Sequence, residues 1–200
     1  MITGIDISVK NGAVNLEKID EVNVRFLYIK ASEALNSKDR CFEKNKAKAI
    51  KNGLIHGAYH WLHPRLHVGQ QAKFFVDTVG NFTGMLPPAV CLQTHRAPME
   101  EIGKNIKTFL GIIEDMVGVK PIIYTSSGYW QKYLAKSEWA CEYPLWLDHP
   151  GSNWPPQIFP WAGWTFWQFA YQAKLPGIPA DIGLNWFIGD QKDLQNMVIQ

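Results

Sequence analysis

The step Cys91-Leu92-Gln93 closes the run Leu-Pro-Pro-Ala-Val-Cys-Leu-Gln-Thr over 86–94. Ala89 to Gln93 reads as a strand, launched by a proline pair and ended by polar residues. Residues two apart on a strand share a face, so Cys91 and Gln93 point the same way. A thiol there acts as a nucleophile only with a base and a depressed pKa. His60 and His95 are the candidate bases; without one, Cys91 is a buried apolar thiol, and that is the preferred reading. Gln93 offers hydrogen bonds but no titratable proton. Acid–base work would fall to carboxylates, and Asp6, Glu33, Asp148 and Asp181 are the candidates. Asp148 and Asp181 are read as solvated loop acids, because most charged residues lie at the surface. His63, His67 and His95 form no ligand-spaced cluster, and Cys41, Cys91 and Cys141 no Cys-x-x-Cys motif. No metal and no cofactor is expected, and the thiols are read as reduced. Eight of the nine tryptophans lie at or after Trp130. Trp146 and Trp167 are assigned to a ligand-facing groove, and most of the others to packing.

These residues need strands to aim them. Strand-like runs occur at 2–8, 26–32, 54–61, 89–93, 120–125, 143–148, 164–170 and 182–187. Amphipathic segments at 41–52, 70–79, 98–117 and 127–136 fill the early gaps, the first three ending at Gly53, Gly80 and Gly118. After residue 140 the spacers shorten and become rich in Pro, Gly and Trp. Alternating strands and helices point to a parallel α/β architecture with about five regular units and a closing set of strands without full helices.

Six segments in order resemble glycoside hydrolase family 25, the muramidases that cut bacterial peptidoglycan. Thr3-Gly4-Ile5-Asp6-Ile7-Ser8 is similar to the opening Gly-x-Asp-x-Ser strand of that family. Phe26 to Glu33 resembles its Tyr-Ile-Lys-Ala-Thr-Glu-Gly strand, with Ala34 in place of the last glycine. Gly53 to Trp61 follows its Gly-Ala-Tyr-His pattern. Pro121 to Thr125, Pro144 to Leu147 and Phe166 to Phe169 look like its later strands. The resemblance implies an eight-stranded TIM-like barrel of (β/α)5(β)3 type, as one domain over residues 1–200. Functional residues of such barrels lie at the C-terminal strand ends, which selects Asp6, Glu33, His60, Gln93, Tyr124, Asp148 and Gln168 as a ring around one mouth. Lys30 and Glu33, three apart, do not share a strand face by simple parity.

The departures fall at the chemistry. Where the family has Asp-x-Glu this chain has Cys91-x-Gln93, and where it has Asp-Leu-Asn this chain has Gly183-Leu184-Asn185. Of four acidic positions the resemblance implies, Asp6 alone is retained, as a relic acid or as a structural hydrogen-bond acceptor. The glutamate of Asp-x-Glu is the family's general acid, and losing general acid catalysis costs about 10²–10⁴-fold. The resemblance therefore implies a lysozyme-like protein with lost or strongly reduced glycosidase activity. Its glycan-shaped groove would include Tyr59, Trp146, Trp167 and Asn185. Two alternatives stand beside it. One is an active peptidoglycan hydrolase pairing Asp6 with Asp148, Asp181 or Glu33. The other is a non-catalytic structural or interaction protein, such as a phage particle component. If only the acids are missing, Cys91→Asp with Gln93→Glu and Gly183→Asp is expected to restore turnover.

A net charge of +2, with 46% hydrophobic and 19% charged residues, is an ordinary globular profile. It is too weakly basic to suggest nucleic acid. A bacterial peptidoglycan or related amino-sugar glycan is the partner the resemblance implies. Met1 runs directly into the first strand with no apolar leader, and no run is long enough to span a membrane. A cytoplasmic, holin-released or virion-associated protein would read this way.

Overall fold

The computed structural model describes residues 1–19, 23–93 and 99–200. Its strands are β1 (Ile2–Ile7), β2 (Val24–Glu33), β3 (Ser37–Lys38), β4 (Ile55–Trp61), β5 (Ala89–Leu92), β6 (Ile122–Ser126), β7 (Leu145–Asp148), β8 (Phe166–Ala173) and β9 (Ile182–Phe187). The hydrogen-bonded order is β1-β9-β8-β7-β6-β5-β4-β2, and β2 pairs back onto β1, so eight strands close a barrel. The two-residue β3 only folds back on the end of β2. Within the closed barrel the ladders are parallel except those of β9, which runs antiparallel to both neighbours. Helices α1 (Phe42–Lys51), α2 (Val68–Val79), α3 (Met99–Val117) and α4 (Ser127–Tyr133) lie close to their expected spans, and a short α5 (Gln191–Asn196) follows the last strand. Segments 149–165 and 174–181 contain no helix. The (β/α)5(β)3 expectation is met.

Period-two alternation divides the core in two. Outward residues, among them Ile5, Leu27, Ile29, Ala58, Val90, Ile123 and Leu147, pack under the helices. Helix α1 answers with Phe42, Asn45 and Ala49, spaced three and four apart on one face. Inward residues Phe26, Tyr28, Ala89, Ile122, Trp146, Phe166 and Phe187 fill the barrel. Two glycines make room for them. A Cβ at Gly4 would overlap the Phe26 ring and one at Gly57 the Tyr28 ring. Tyr28 then donates to the Pro87 carbonyl at 3.0 Å, so its buried hydroxyl is satisfied.

Where helices are missing, indoles clad the outside. Trp167 lies against Trp186 at 5.2 Å between ring centroids, Trp164 and Trp154 join the same cluster, and Phe169 stacks on Trp186 at 4.3 Å. Trp167 also donates to the His149 carbonyl at 2.8 Å. Its assignment to the groove is therefore overturned. Gln168 points into the barrel, and adjacent strand residues point to opposite faces. Among the described residues no helix is long and apolar enough to cross a membrane.

Candidate active site

Strand parity gathers the polar residues at the C-terminal ends of the parallel strands. Asp6 accepts from Gln168 Nε2 at 2.5 Å and from Asn185 Nδ2 at 2.9 Å. Asn185 in turn accepts from Trp146 Nε1 at 2.8 Å. Gln168 Oε1 accepts from the Tyr124 hydroxyl at 2.6 Å. Gln93 Nε2 donates to Tyr124 Oη at 3.3 Å and to Asp148 Oδ2 at 2.6 Å. Tyr171 donates to the other oxygen of Asp148. A continuous hydrogen-bonded chain thus runs Asp6–Gln168–Tyr124–Gln93–Asp148–Tyr171 across the mouth. Its two carboxylates are separated by neutral amides and phenols.

Burial dominates the electrostatics. It raises the Asp6 carboxyl above its ordinary range, against the hydrogen bonds from Asn185 and Gln168, and the Asp148 charge raises it further. Asp148 is 4% exposed and is also raised by burial, despite the bonds it accepts. Burial likewise pushes the Cys91 thiol well up, so the thiolate is disfavoured and the buried, apolar reading of this cysteine agrees with its surroundings. Glu33 behaves oppositely. Burial alone would raise it, but Lys30 at 2.5 Å and His63 at 3.0 Å hold it below its usual value.

Two depressions meet at Asp6, Tyr59 and Trp61. The inner one, about 60 Å³, is also lined by Cys91, Gln93, Tyr124 and Trp146. The outer one, about 240 Å³, adds Lys10, Lys30, Gln168, Tyr171 and Gly183. The inner space suits a few waters or one small substituent. The outer has the polar–aromatic lining that a sugar ring needs.

Asp6, Glu33, Gln93, Tyr124, Asp148 and Gln168 of the expected ring come together, with Tyr59, Cys91, Trp146, Gly183 and Asn185 beside them. His60 does not. It is fully buried outside the barrel, between the rings of Phe75 and Phe109, and bonded to Ser32 at 2.9 Å. Tyr59 and Trp61 take the inward positions of β4, so the residue between them must face the helices. Asp148 is no solvated loop acid, whereas Asp181 is exposed and paired with Lys174. Lys30 and Glu33 do meet, because the β2–β4 register slips between Lys30 and Ser32 and reverses the parity beyond. Gly183 is also filled space. A Cβ there would press into Gln168 Nε2 and Asp6 Oδ1. The expected Gly183→Asp repair therefore requires the ends of the Gln168 and Asp6 side chains to shift. Trp61 and Tyr171 were absent from the expected groove. Trp61 was legible, two beyond Tyr59 at the strand end. Tyr171 was not, because it faces inward only through a second register slip, between Gln168 and Ala170. His95 lies outside the described residues.

The model of Glycosyl hydrolases family 25 matches residues 5–178. The chain belongs to this family. Lysozyme M1 of Streptomyces globisporus is 28% identical over 94% of this chain and 68% of its own length. The uncharacterized protein YegX of Escherichia coli strain K12 is 29% identical over 98% of this chain and 73% of its own. Among solved structures, the bacterial lysozyme from Streptomyces coelicolor superposes with a TM-score of 0.93 at 26% identity, covering 98% of this chain and 96% of that one. The family 25 lysozyme from Aspergillus fumigatus gives 0.91 at 25% identity, covering 100% and 99%. The family 25 barrel and the muramidase relationship of this chain rest on these likenesses together.

Proposed function

We propose that the mouth binds a peptidoglycan-type amino-sugar glycan, and that the family route through a carboxylic acid at position 93 is closed. The observation that carries this reading is the chain from Asp6 through Gln168, Tyr124 and Gln93 to Asp148. At position 93 an amide donates to a carboxylate, so it has no proton to give to a leaving oxygen. Position 183 has no side chain, and its space is taken by Gln168 and Asp6. Tyr59 and Trp61 line both depressions, with Lys30 Nζ over the Trp61 ring at 5.1 Å, an aromatic and polar lining that supports retained binding.

Turnover of purified peptidoglycan, followed by turbidity, is expected about 10²–10⁴-fold below that of a site with its general acid. Muropeptide binding by calorimetry should persist and weaken about tenfold in Trp61→Ala, since truncating an anchoring aromatic commonly costs more than 1 kcal/mol. Cys91→Asp with Gln93→Glu is expected to recover part of the turnover. The new carboxylate beside Asp148 would share a proton with it, which raises the acid into a useful range. Lysis by the natural chain as fast as by that double variant would show that the missing carboxylic acid at position 93 does not limit turnover, and would overturn the predicted loss. Absence of muropeptide binding would favour a structural or interaction role, for which the groove is vestigial.

A further inference from the structure

The mouth contains a second arrangement of reactive groups that the family-like positions do not use. Tyr171 is 46% exposed and lines the outer depression together with Asp6, Tyr59 and Trp61. Its hydroxyl donates to Asp148 Oδ1, while Gln93 Nε2 holds Asp148 Oδ2 at 2.6 Å. A hydroxyl on a half-exposed residue, a buried base in hydrogen-bond reach and a third group fixing that base are the recognised parts of an activated nucleophile. Resting on the glycan reading above, we propose that Tyr171 is a nucleophile activated by Asp148, that Gln93 is the positioning residue for that base, and that Asp6 is the opposing acid, so that this chain cleaves its glycan through a tyrosyl–sugar intermediate.

The departures then acquire a purpose. An ionised carboxylate at 93 would repel Asp148 and could not donate to it, whereas the glutamine amide donates to Asp148 Oδ2 at 2.6 Å. A side chain at 183 would displace both Gln168 and Asp6. The other acids are unsuited to the part. Glu33 is committed to Lys30 and His63, and Asp181 to Lys174. Both side-chain hydrogen bonds to Asp6 fall on Oδ1, and burial favours its protonated form, as an acid needs. Burial and then the Asp148 bond raise the Tyr171 phenol, so its proton leaves only as the new bond forms.

In the first step Tyr171 Oη bonds to the anomeric carbon as the glycosidic C–O bond breaks. The phenolic proton passes to Asp148, and the Asp6 proton goes to the leaving oxygen. In the second step a water oxygen bonds to the anomeric carbon as the Tyr171–carbon bond breaks. The water proton goes to Asp6, and Tyr171 recovers its own from Asp148. The sum is one water consumed per bond hydrolysed, with configuration retained.

The test traps the intermediate. Wild type is incubated with a 5-fluoro glycosyl fluoride of N-acetylglucosamine, which reacts at the anomeric carbon and leaves a slowly hydrolysed adduct. Mass mapping should find one sugar on Tyr171 and none in Tyr171→Phe. Peptidoglycan turnover should fall at least about 10²-fold in Tyr171→Phe and in Asp148→Asn, with muropeptide affinity kept within a few-fold. Gln93→Met, which cannot hold Asp148, should lower kcat more than it changes KM. Thermal melts check folding; Tyr171→Phe removes a single oxygen and keeps the test alive if the Asp148 variant unfolds. An adduct on another residue, or undiminished turnover in Tyr171→Phe, overturns the proposal. Muropeptide binding with neither adduct nor turnover also overturns it and leaves the glycan reading standing. A folded wild type that binds no muropeptide removes both.

Discussion

Asp148 and His60 are both buried, yet burial drives their stability contributions in opposite directions with pH. The Asp148 carboxyl is raised above 3.8, so the native state holds its proton after the unfolded chain has lost it. Stability therefore falls as pH rises through the folded value, and the ionised group is a burden at neutral pH. Asp148→Asn removes the buried charge and keeps an acceptor oxygen for one of the two donors, Tyr171 or Gln93. It should raise the urea midpoint at pH 7 and leave it nearly unchanged at pH 3, while lowering turnover. His60 is lowered from 6.5 to about 4 by burial. Between those values the unfolded chain binds the proton first, so stability falls as the pH drops. The loss should approach about 3 kcal/mol by pH 4. Urea titrations from pH 7 to 4 measure it, and His60→Gln should flatten the slope.

Strands, through parity and its interruptions, decide which side chains reach the mouth. Apolar runs and their glycine stops made the strands and most helices legible, and residue pairs two apart, such as Cys91 and Gln93, were placed by alternation alone. His60 and Trp167 were misplaced although the same alternation excluded them, since each adjoins an inward residue in its own strand. Lys30 with Glu33, and Gln168 with Tyr171, were beyond reach for a different reason. A register slip leaves no mark in residue type, because its cause lies in the partner strand. The fit of rings over glycines was equally hidden. Gly57→Ala, which pushes a Cβ into the Tyr28 ring, should destabilise by about 1–3 kcal/mol in denaturant titration. Gly183→Asp, added to the double acid variant, should lower its thermal midpoint and reduce rather than improve turnover.

Across the whole molecule, the half of the barrel wrapped by α1 to α4 differs from the half wrapped by loops. Residues 149–173 include no Asp, Glu, Lys or Arg, and indoles replace helices as the outer layer. The tryptophans fall accordingly into separate optical populations. Trp154, Trp164, Trp167 and Trp186 are within ring-contact distance of one another in sequence around the cladding, and Trp130, Trp139 and Trp161 form a second group. Excitation absorbed by any indole in such a group hops among its neighbours before it is emitted. Seven of the nine emitters thus lie outside the mouth, four on the loop-clad wall and three where α4 packs against it. Trp61 and Trp146 alone line the mouth. A glycan entering there will leave most of the emission band untouched, and its signal is best sought as the difference between the natural chain and Trp61→Phe, at the few wavelengths where a partly buried indole differs from fully buried ones.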